Sequence, residues 1–194
     1  MVEVRRLSRA EAAARFDDLA RLRIEVFRDF PYHYDGDVAY ERGYLATYMK
    51  APGALVIGAF DGTNLVGAAT AAPLNEHFEE FAAPLAERGY DPARFFYFGE
   101  SVLLKPHRGR GIGVTFFEAR EDAARAAGFA DCLFSSVVRP LDHPARPRDY
   151  QPLDAFWRKR GYAPIEGLTT GFSWRDLGEA EESVKPMEYW HKAL

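Results

Sequence analysis

Hydrophobic and polar positions change period several times along this chain, and each change marks an element. Val2 to Leu7 alternates, which is the period of a strand. Ser8-Arg9-Ala10-Glu11 then has the spacing of a capping box, in which a serine hydroxyl and a glutamate satisfy each other's exposed amides. Phe16, Leu19, Ala20 and Ile24 continue an amphipathic helix. The stretch FRDFPYHYDGDVAYERGYLATY, ending at Tyr48, gathers seven aromatics around an Asp-Gly turn. It reads either as a helix-turn-helix whose rings fill the core or as a loop presenting Tyr32, Tyr34 and Asp35 over a pocket. Leu55 to Phe60 and Leu65 to Ala72 are short strands joined by Asp61-Gly62-Thr63-Asn64, a hairpin signal. Asn75 to Gly89 is predicted helical, with Pro84 bending or breaking it.

The next run organises the rest. Phe95 to Leu104 is apolar and aromatic, a buried strand. Lys105 to Gly113 is a compact loop in which Gly109, Gly111 and Gly113 interleave with Arg108 and Arg110. Val114 to Ala127 sets Phe117, Ala124 and Ala127 at helical spacing, and Gly128 follows as its C-cap. Phe129 to Val138 is again rich in strand formers. Strand, helix and second strand imply a right-handed crossover and parallel pairing. Arg139 to Gln151 carries three prolines and no period, so it is an irregular loop. Leu153 to Arg160 is a short helix ending at Gly161, and Gly167 to Arg175 with Lys185 to Lys192 close the chain as an antiparallel pair.

Composition narrows the class. A length of 194 residues suits one domain, residues 1–194, with an ordinary core. Hydrophobic content of 47% and charged content of 28% are globular values. A formal net charge of −4 without a long basic block argues against a nucleic-acid partner. Cys132 is the single cysteine, so no intramolecular disulfide forms, and its place in a strand reads as a small buried residue. The first residues lack an apolar segment and no window reaches membrane-spanning length. No membrane partner and a cytoplasmic location are therefore expected. His143, between Asp142 and Pro144, has no ligand-like neighbour spacing, and no metal site is expected.

A strand, a glycine-rich loop and a helix make an anion site, because glycines let the backbone come close and the first-turn amides point outward. The spacing excludes two common anions' loops. A dinucleotide fingerprint needs a third glycine where Val114 stands, and a Walker loop needs Lys-Ser/Thr where Val114 and Thr115 stand. Arg108-x-x-Gly111-x-Gly113 after an extended strand resembles instead the acyl-coenzyme-A loop of the GCN5-related N-acetyltransferase (GNAT) family. Phe156-Trp157-Arg158-Lys159-Arg160-Gly161-Tyr162 is similar to that family's second motif, and element order agrees over the whole chain.

The resemblance implies an α/β (α+β) fold: a mixed, mostly antiparallel twisted sheet with a central parallel strand pair and flanking helices. It implies acetyl-CoA as cofactor, with the pyrophosphate on the backbone amides of Arg108, Gly109, Arg110, Gly111, Ile112 and Gly113. Val102 and Leu103 would pair with the pantetheine arm as an added strand. The partner is then an amine of a small molecule or a protein, and a homodimer is among the assemblies to expect because some relatives share pockets between chains. Glu100, the sole carboxylate in its apolar strand, is the candidate base, on one strand face with Phe96, Phe98 and Val102. Tyr97 is a rival contributor. Many relatives protonate the leaving thiolate with a second-motif tyrosine, but Trp157 stands there, and an indole is no acid. Tyr150 is the nearest substitute in sequence. Tyr32, Tyr34 and Arg139 are expected around the acceptor, with Arg139 clamping a carboxylate. A non-catalytic acyl-CoA binder with the same loop is the competing expectation.

Overall fold

In the computed structural model, which describes residues 2–77 and 79–194, the elements follow the order β1 (Glu3–Leu7), α1 (Arg9–Ala14), α2 (Phe16–Phe27), α3 (Val38–Tyr48), β2 (Leu55–Asp61), β3 (Asn64–Pro73), α4 (Leu74–His77) and α5 (Glu79–Glu87). The second half continues with β4 (Phe95–Leu103), α6 (Ile112–Ala126), β5 (Asp131–Val137), α7 (Asp154–Arg158), β6 (Ala163–Trp174) and β7 (Ser183–Ala193). The seven strands form one sheet in the order β1-β2-β3-β4-β5-β7-β6. Only β4 and β5 run parallel. This is the mixed, mostly antiparallel α/β sheet with a parallel pair and flanking helices that the sequence predicts.

Local chemistry explains most boundaries. Ser8 Oγ accepts from the Glu11 amide at 3.2 Å while Glu11 Oε2 accepts from the Ser8 amide at 2.8 Å, so the capping box forms. The helix expected beyond it is interrupted at Arg15, where φ −116° and ψ 18° leave helical values and separate α1 from α2. Over the helix expected at 75–89 the described residues are helical at α4 and α5, and residue 78 lies outside the described residues. Pro84 sits inside α5 without ending it. A proline removes the bond to the carbonyl four residues back, and here Thr170 Oγ1 of β6 donates to that Glu80 carbonyl at 2.9 Å.

Helices cover both sheet faces. Leu19 and Leu22 of α2, Leu45 and Tyr48 of α3 and Phe81 and Leu85 of α5 build one core layer with Tyr97, Leu133 and Tyr189. Ile112, Phe116, Phe117 and Ala124 of α6 build the other with Phe96, Phe98, Phe134 and Trp190. The aromatic alternation of β4 is thus divided between two layers, as strand pleating requires. Small residues of β3, Gly67 to Ala72, run between the layers and let both approach the sheet closely.

Candidate active site

The site begins with a fault in β4. Ser101 pairs with Ala69 and Phe98 with Ala71, so Gly99 and Glu100 together stand opposite Thr70 alone. This is a β-bulge, which re-aims side chains and leaves backbone groups to be satisfied otherwise. The Glu100 amide donates to Thr70 Oγ1 at 3.1 Å. Arg120 Nη1, from α6, donates to the Glu100 and Thr70 carbonyls at 3.2 and 3.4 Å. Arg120 is 1% exposed. Burial lowers its pKa to about 10, with Tyr162, Cys132 and Glu100 acting the other way, so it stays a cation at neutral pH.

The bulge corrects one sequence expectation. Glu100 does not share a face with Phe96 and Phe98, which pack toward α6. The extra residue turns its side chain to the Tyr97 and Val102 face, under α2 and α3. There Arg23 of α2 lies between two carboxylates. Its Nη1 is 2.7 Å from Glu100 Oε1, and its Nε donates to Oε2 of Glu41 from α3. Burial alone would lower the Arg23 pKa, but Glu100 and Glu41 outweigh it and hold the pKa above the ordinary arginine range. Glu41 is fully buried, and the Tyr34 hydroxyl hydrogen-bonds its carboxylate from the cavity side.

These groups line a cavity of about 530 Å³. Phe27, Tyr32, Tyr34 and Tyr44 wall it from the N-terminal half, and Phe81, Tyr97, Phe172 and Trp174 from the other side. Burial first, then neighbouring Glu100 and Tyr150, pushes the Tyr32 hydroxyl up to about 12. Burial and the facing Glu41 carboxylate raise Tyr34 further. Burial also raises Tyr97 well above the usual phenol range, against a Ser135 hydrogen bond that lowers it. Every one of these tyrosines therefore stays protonated at neutral pH.

The cavity meets a gap in the sheet. The parallel register of β4 with β5 runs from Phe95–Asp131 to Phe98–Phe134 and stops there. Gly99 and Ser135, the next residue on each strand, both line the cavity. Beyond the gap Leu104 N–H donates to Val66 O of β3 at 3.0 Å. By strand alternation the Leu103 N–H and C=O point to the opposite, open edge, whereas those of Val102 turn toward β3. Of the two residues expected to offer an added strand its bonds, Leu103 has the orientation and Val102 contributes a buried side chain.

The open edge leads to the glycine loop. Gly109 and Gly111 have φ of 75° and 82°, the left-handed region that glycine enters without a steric cost. Gly111 is the N-cap of α6 and supplies no side-chain cap. No backbone N–H from Gly109 to Gly113 donates to an acceptor among the described residues. Arg108 differs from its expected role. Its amide donates to Lys105 O at 3.1 Å, and its Nε to Leu103 O at 2.9 Å. The cradle of free amides therefore starts at Gly109.

Two other expected residues lie elsewhere. Arg139 is paired with Asp176 at 2.8 Å and donates to the Pro31 and Tyr32 carbonyls at 2.8 Å each. Its side chain is 8% exposed and does not line the cavity, so the expected carboxylate clamp is replaced by an internal tie that holds the Tyr32 loop. Tyr150 stands edge-on to Phe30 at 4.7 Å, with the Arg146 guanidinium 4.9 Å from its ring. It is outside the cavity wall but close enough to raise Tyr32. Trp157 packs against Phe134 and Trp190 at 5.1 and 4.9 Å.

Sequence reasoning missed Arg23, Glu41 and Arg120. Each has the same signal, a charge on a buried helical stripe: Leu19-Arg23-Phe27, Glu41-Leu45-Tyr48 and Phe116-Arg120-Ala124. Such a charge needs a partner inside.

Comparison with known proteins agrees with this architecture. The model of the Acetyltransferase (GNAT) family matches residues 16–162. The fold is similar to that of the paia N-acetyltransferase of Thermoplasma acidophilum in complex with coenzyme A, at TM-score 0.58 and 13% identity over 100% of this chain and 99% of that one. It is also similar to a ribosomal-protein-alanine N-acetyltransferase of Brucella melitensis, at TM-score 0.61 and 15% identity over 99% of each chain. A third similar structure is yncA of Salmonella typhimurium with its cofactor acetyl-CoA, at TM-score 0.60 and 13% identity over 100% and 94%. A comparison with curated protein sequences finds no match.

Proposed function

We propose, from the premise that this chain belongs to the GNAT acetyltransferase family, that it moves an acetyl group from acetyl-CoA to a primary amine by direct attack. The observation that carries this reading is the continuity of three features: a loop with free amides, an open strand edge and a cavity holding a carboxylate at the bulge. The residues fit the cofactor. Amides of Gly109 to Gly113 suit a pyrophosphate, since successive N–H groups at a helix start favour anions. Arg110 adds charge there, and the Leu103 N–H suits a carbonyl of an amide-bearing arm, its own carbonyl being held by Arg108 Nε. When bound, acetyl-CoA supplies an activated acyl carbon and a thiol leaving group.

The chain's own groups divide the remaining work. Glu100 holds the acceptor nitrogen and receives its proton, while Arg23 fixes the direction of the carboxylate. Tyr97 and Tyr32, protonated and cavity-facing, position the acceptor by hydrogen bonding. Tyr150 lies outside the cavity wall, so water protonates the departing thiolate. Glu100→Gln tests the reading. It should lower kcat by about 10²–10⁴, the usual contribution of a positioned base, and leave the Kd of acetyl-CoA unchanged. Undiminished kcat sinks the base role. The placement of Trp157 in an aromatic cluster rather than at an acid position favours one rival, a non-catalytic acyl-CoA binder. That rival predicts cofactor binding with no thiol release for any amine.

A further inference from the structure

We propose that the cavity behind Glu100 takes a cationic amine with an aromatic body and no carboxylate of its own. The proposal deepens the transfer reading and rests on it for the chemistry, though not for the binding.

Charge selects the ligand first. The cavity wall carries six carboxylates, Asp35, Asp37, Glu41, Glu100, Glu181 and Glu182, against two guanidiniums, Arg23 and Arg175. Both guanidiniums already face carboxylates. Arg23 serves Glu41 and Glu100, and Arg175 Nη2 lies 2.8 Å from Asp35 while its Nε has no partner among the described residues. Six carboxylates against two guanidiniums leave the wall strongly acidic. Arg139, the nearest candidate in sequence reasoning, is closed off by Asp176. A carboxylate on the acceptor would face like charges, which suppresses the wrong partner strongly.

Charge is unbalanced inside the wall as well. Arg23 alone faces both Glu41 and Glu100, and the Tyr34 phenol is the neutral group beside Glu41. Buried acid without a full counter-charge is costly, and a cationic ligand in the cavity lowers that cost. An ammonium brings three donors and a charge of the right sign. Glu181 and Glu182 are exposed at the other extreme of the wall and present the same sign to solvent, where it draws a cation in. Between these carboxylates lie ring faces, Tyr44, Tyr97, Phe172 and Trp174 among them. Rings attract a passing cation and bury an aromatic body. At about 530 Å³ the cavity lies within the range of small-molecule sites.

Phenethylamine and phenylalanine differ by one carboxylate and make the test. Calorimetric titration of the protein loaded with free coenzyme A reads binding without turnover, and thiol release with acetyl-CoA reads transfer. Phenethylamine should bind on the order of 100-fold tighter than phenylalanine. Glu181→Gln with Glu182→Gln should weaken phenethylamine about 3- to 10-fold and flatten its salt dependence, with coenzyme A binding unchanged. Phenylalanine binding as tightly as phenethylamine, or neither binding, overturns the proposal. Phenethylamine bound but never acetylated supports the cationic site while removing the transfer reading. Phenylalanine preferred and acetylated does the reverse.

Discussion

Arg23 sets the state of the carboxylate on which the proposed chemistry turns. It reaches Glu100 and Glu41 from one guanidinium and stacks over Tyr44 at 4.5 Å, so a single side chain ties together two buried acids and packs against the cavity wall. Removing one partner of a buried ionic group leaves the other charges uncompensated, at a cost of about 3–5 kcal/mol. Arg23→Met preserves length and apolar bulk but not charge. It should lower Tm by on the order of 10 °C, given about 2–4 °C per kcal/mol at this size. A melting curve near that of the parent at neutral pH would mean that the triad contributes no net stability. The cavity residues Tyr32, Tyr34, Tyr97 and Glu100 were legible in the sequence as a chemistry-bearing set, because aromatics beside a turn and a lone strand carboxylate are local patterns. Arg23 and Glu41 were not, because their meaning depends on α2 and α3 meeting over β4.

Elements end where local chemistry says they should, and that chemistry titrates. The Glu11 carboxylate of the α1 capping box sits at a pKa of about 2, held down first by the Ser8 amide, then by the Ser8 hydroxyl and Arg5. Its ordinary value is 4.5. A carboxylate depressed in the folded state adds stability that is fully present above the unfolded pKa and lost as pH falls through the folded one. The window for Glu11 is therefore pH 4.5 down to 2. Glu179 behaves alike, depressed to about 2 by the Asp176 amide first and by Lys185 and Ser183 next. Glu11→Gln keeps an acceptor at the same place but cannot titrate. It should flatten the acid limb of a Tm-against-pH profile across that window, and an unchanged slope would remove the box from the acid response. The capping box and the hairpin turn were read correctly from local residues, whereas α6 and α7 are capped at Ala127 and Lys159, ahead of the glycines expected to cap them. The break at Arg15, the accommodation of Pro84 and the bulge at Gly99-Glu100 were not legible, since Thr170 and Arg120 act on the last two from distant sequence.

At the scale of the molecule, the parallel pair and the bulge act together. A sheet that stayed paired from β4 to β5 along its whole length would have no open edge and no cavity at Ser135. The bulge shifts the register of β4 against β3, the β4–β5 register ends at the same residues, and buried Arg120 holds the exposed carbonyls from the α6 side. The glycine loop then enters α6 beside that edge, so loop, gap and cavity lie along one line of the chain from Gly99 to Gly113. Ligand binding here should be read by the whole fold, because β3, β4, β5 and α6 all frame the gap. Mass action gives about 2.7 kcal/mol of stabilisation at 100 times Kd, on the order of 5–10 °C for a chain of this length. Acetyl-CoA and free coenzyme A should both produce that shift and NAD none. Gly111→Ala supplies the control. Its Cβ meets nothing within 4 Å, so the substitution strains only the left-handed backbone at φ 82°. It should lower the unliganded Tm by a few degrees, from roughly 1–2 kcal/mol of strain, and reduce the acetyl-CoA shift at fixed concentration because the first-turn amides move. A shift retained in full by Gly111→Ala, or given equally by NAD, would mean that the loop is a structural turn and that the cofactor binds elsewhere.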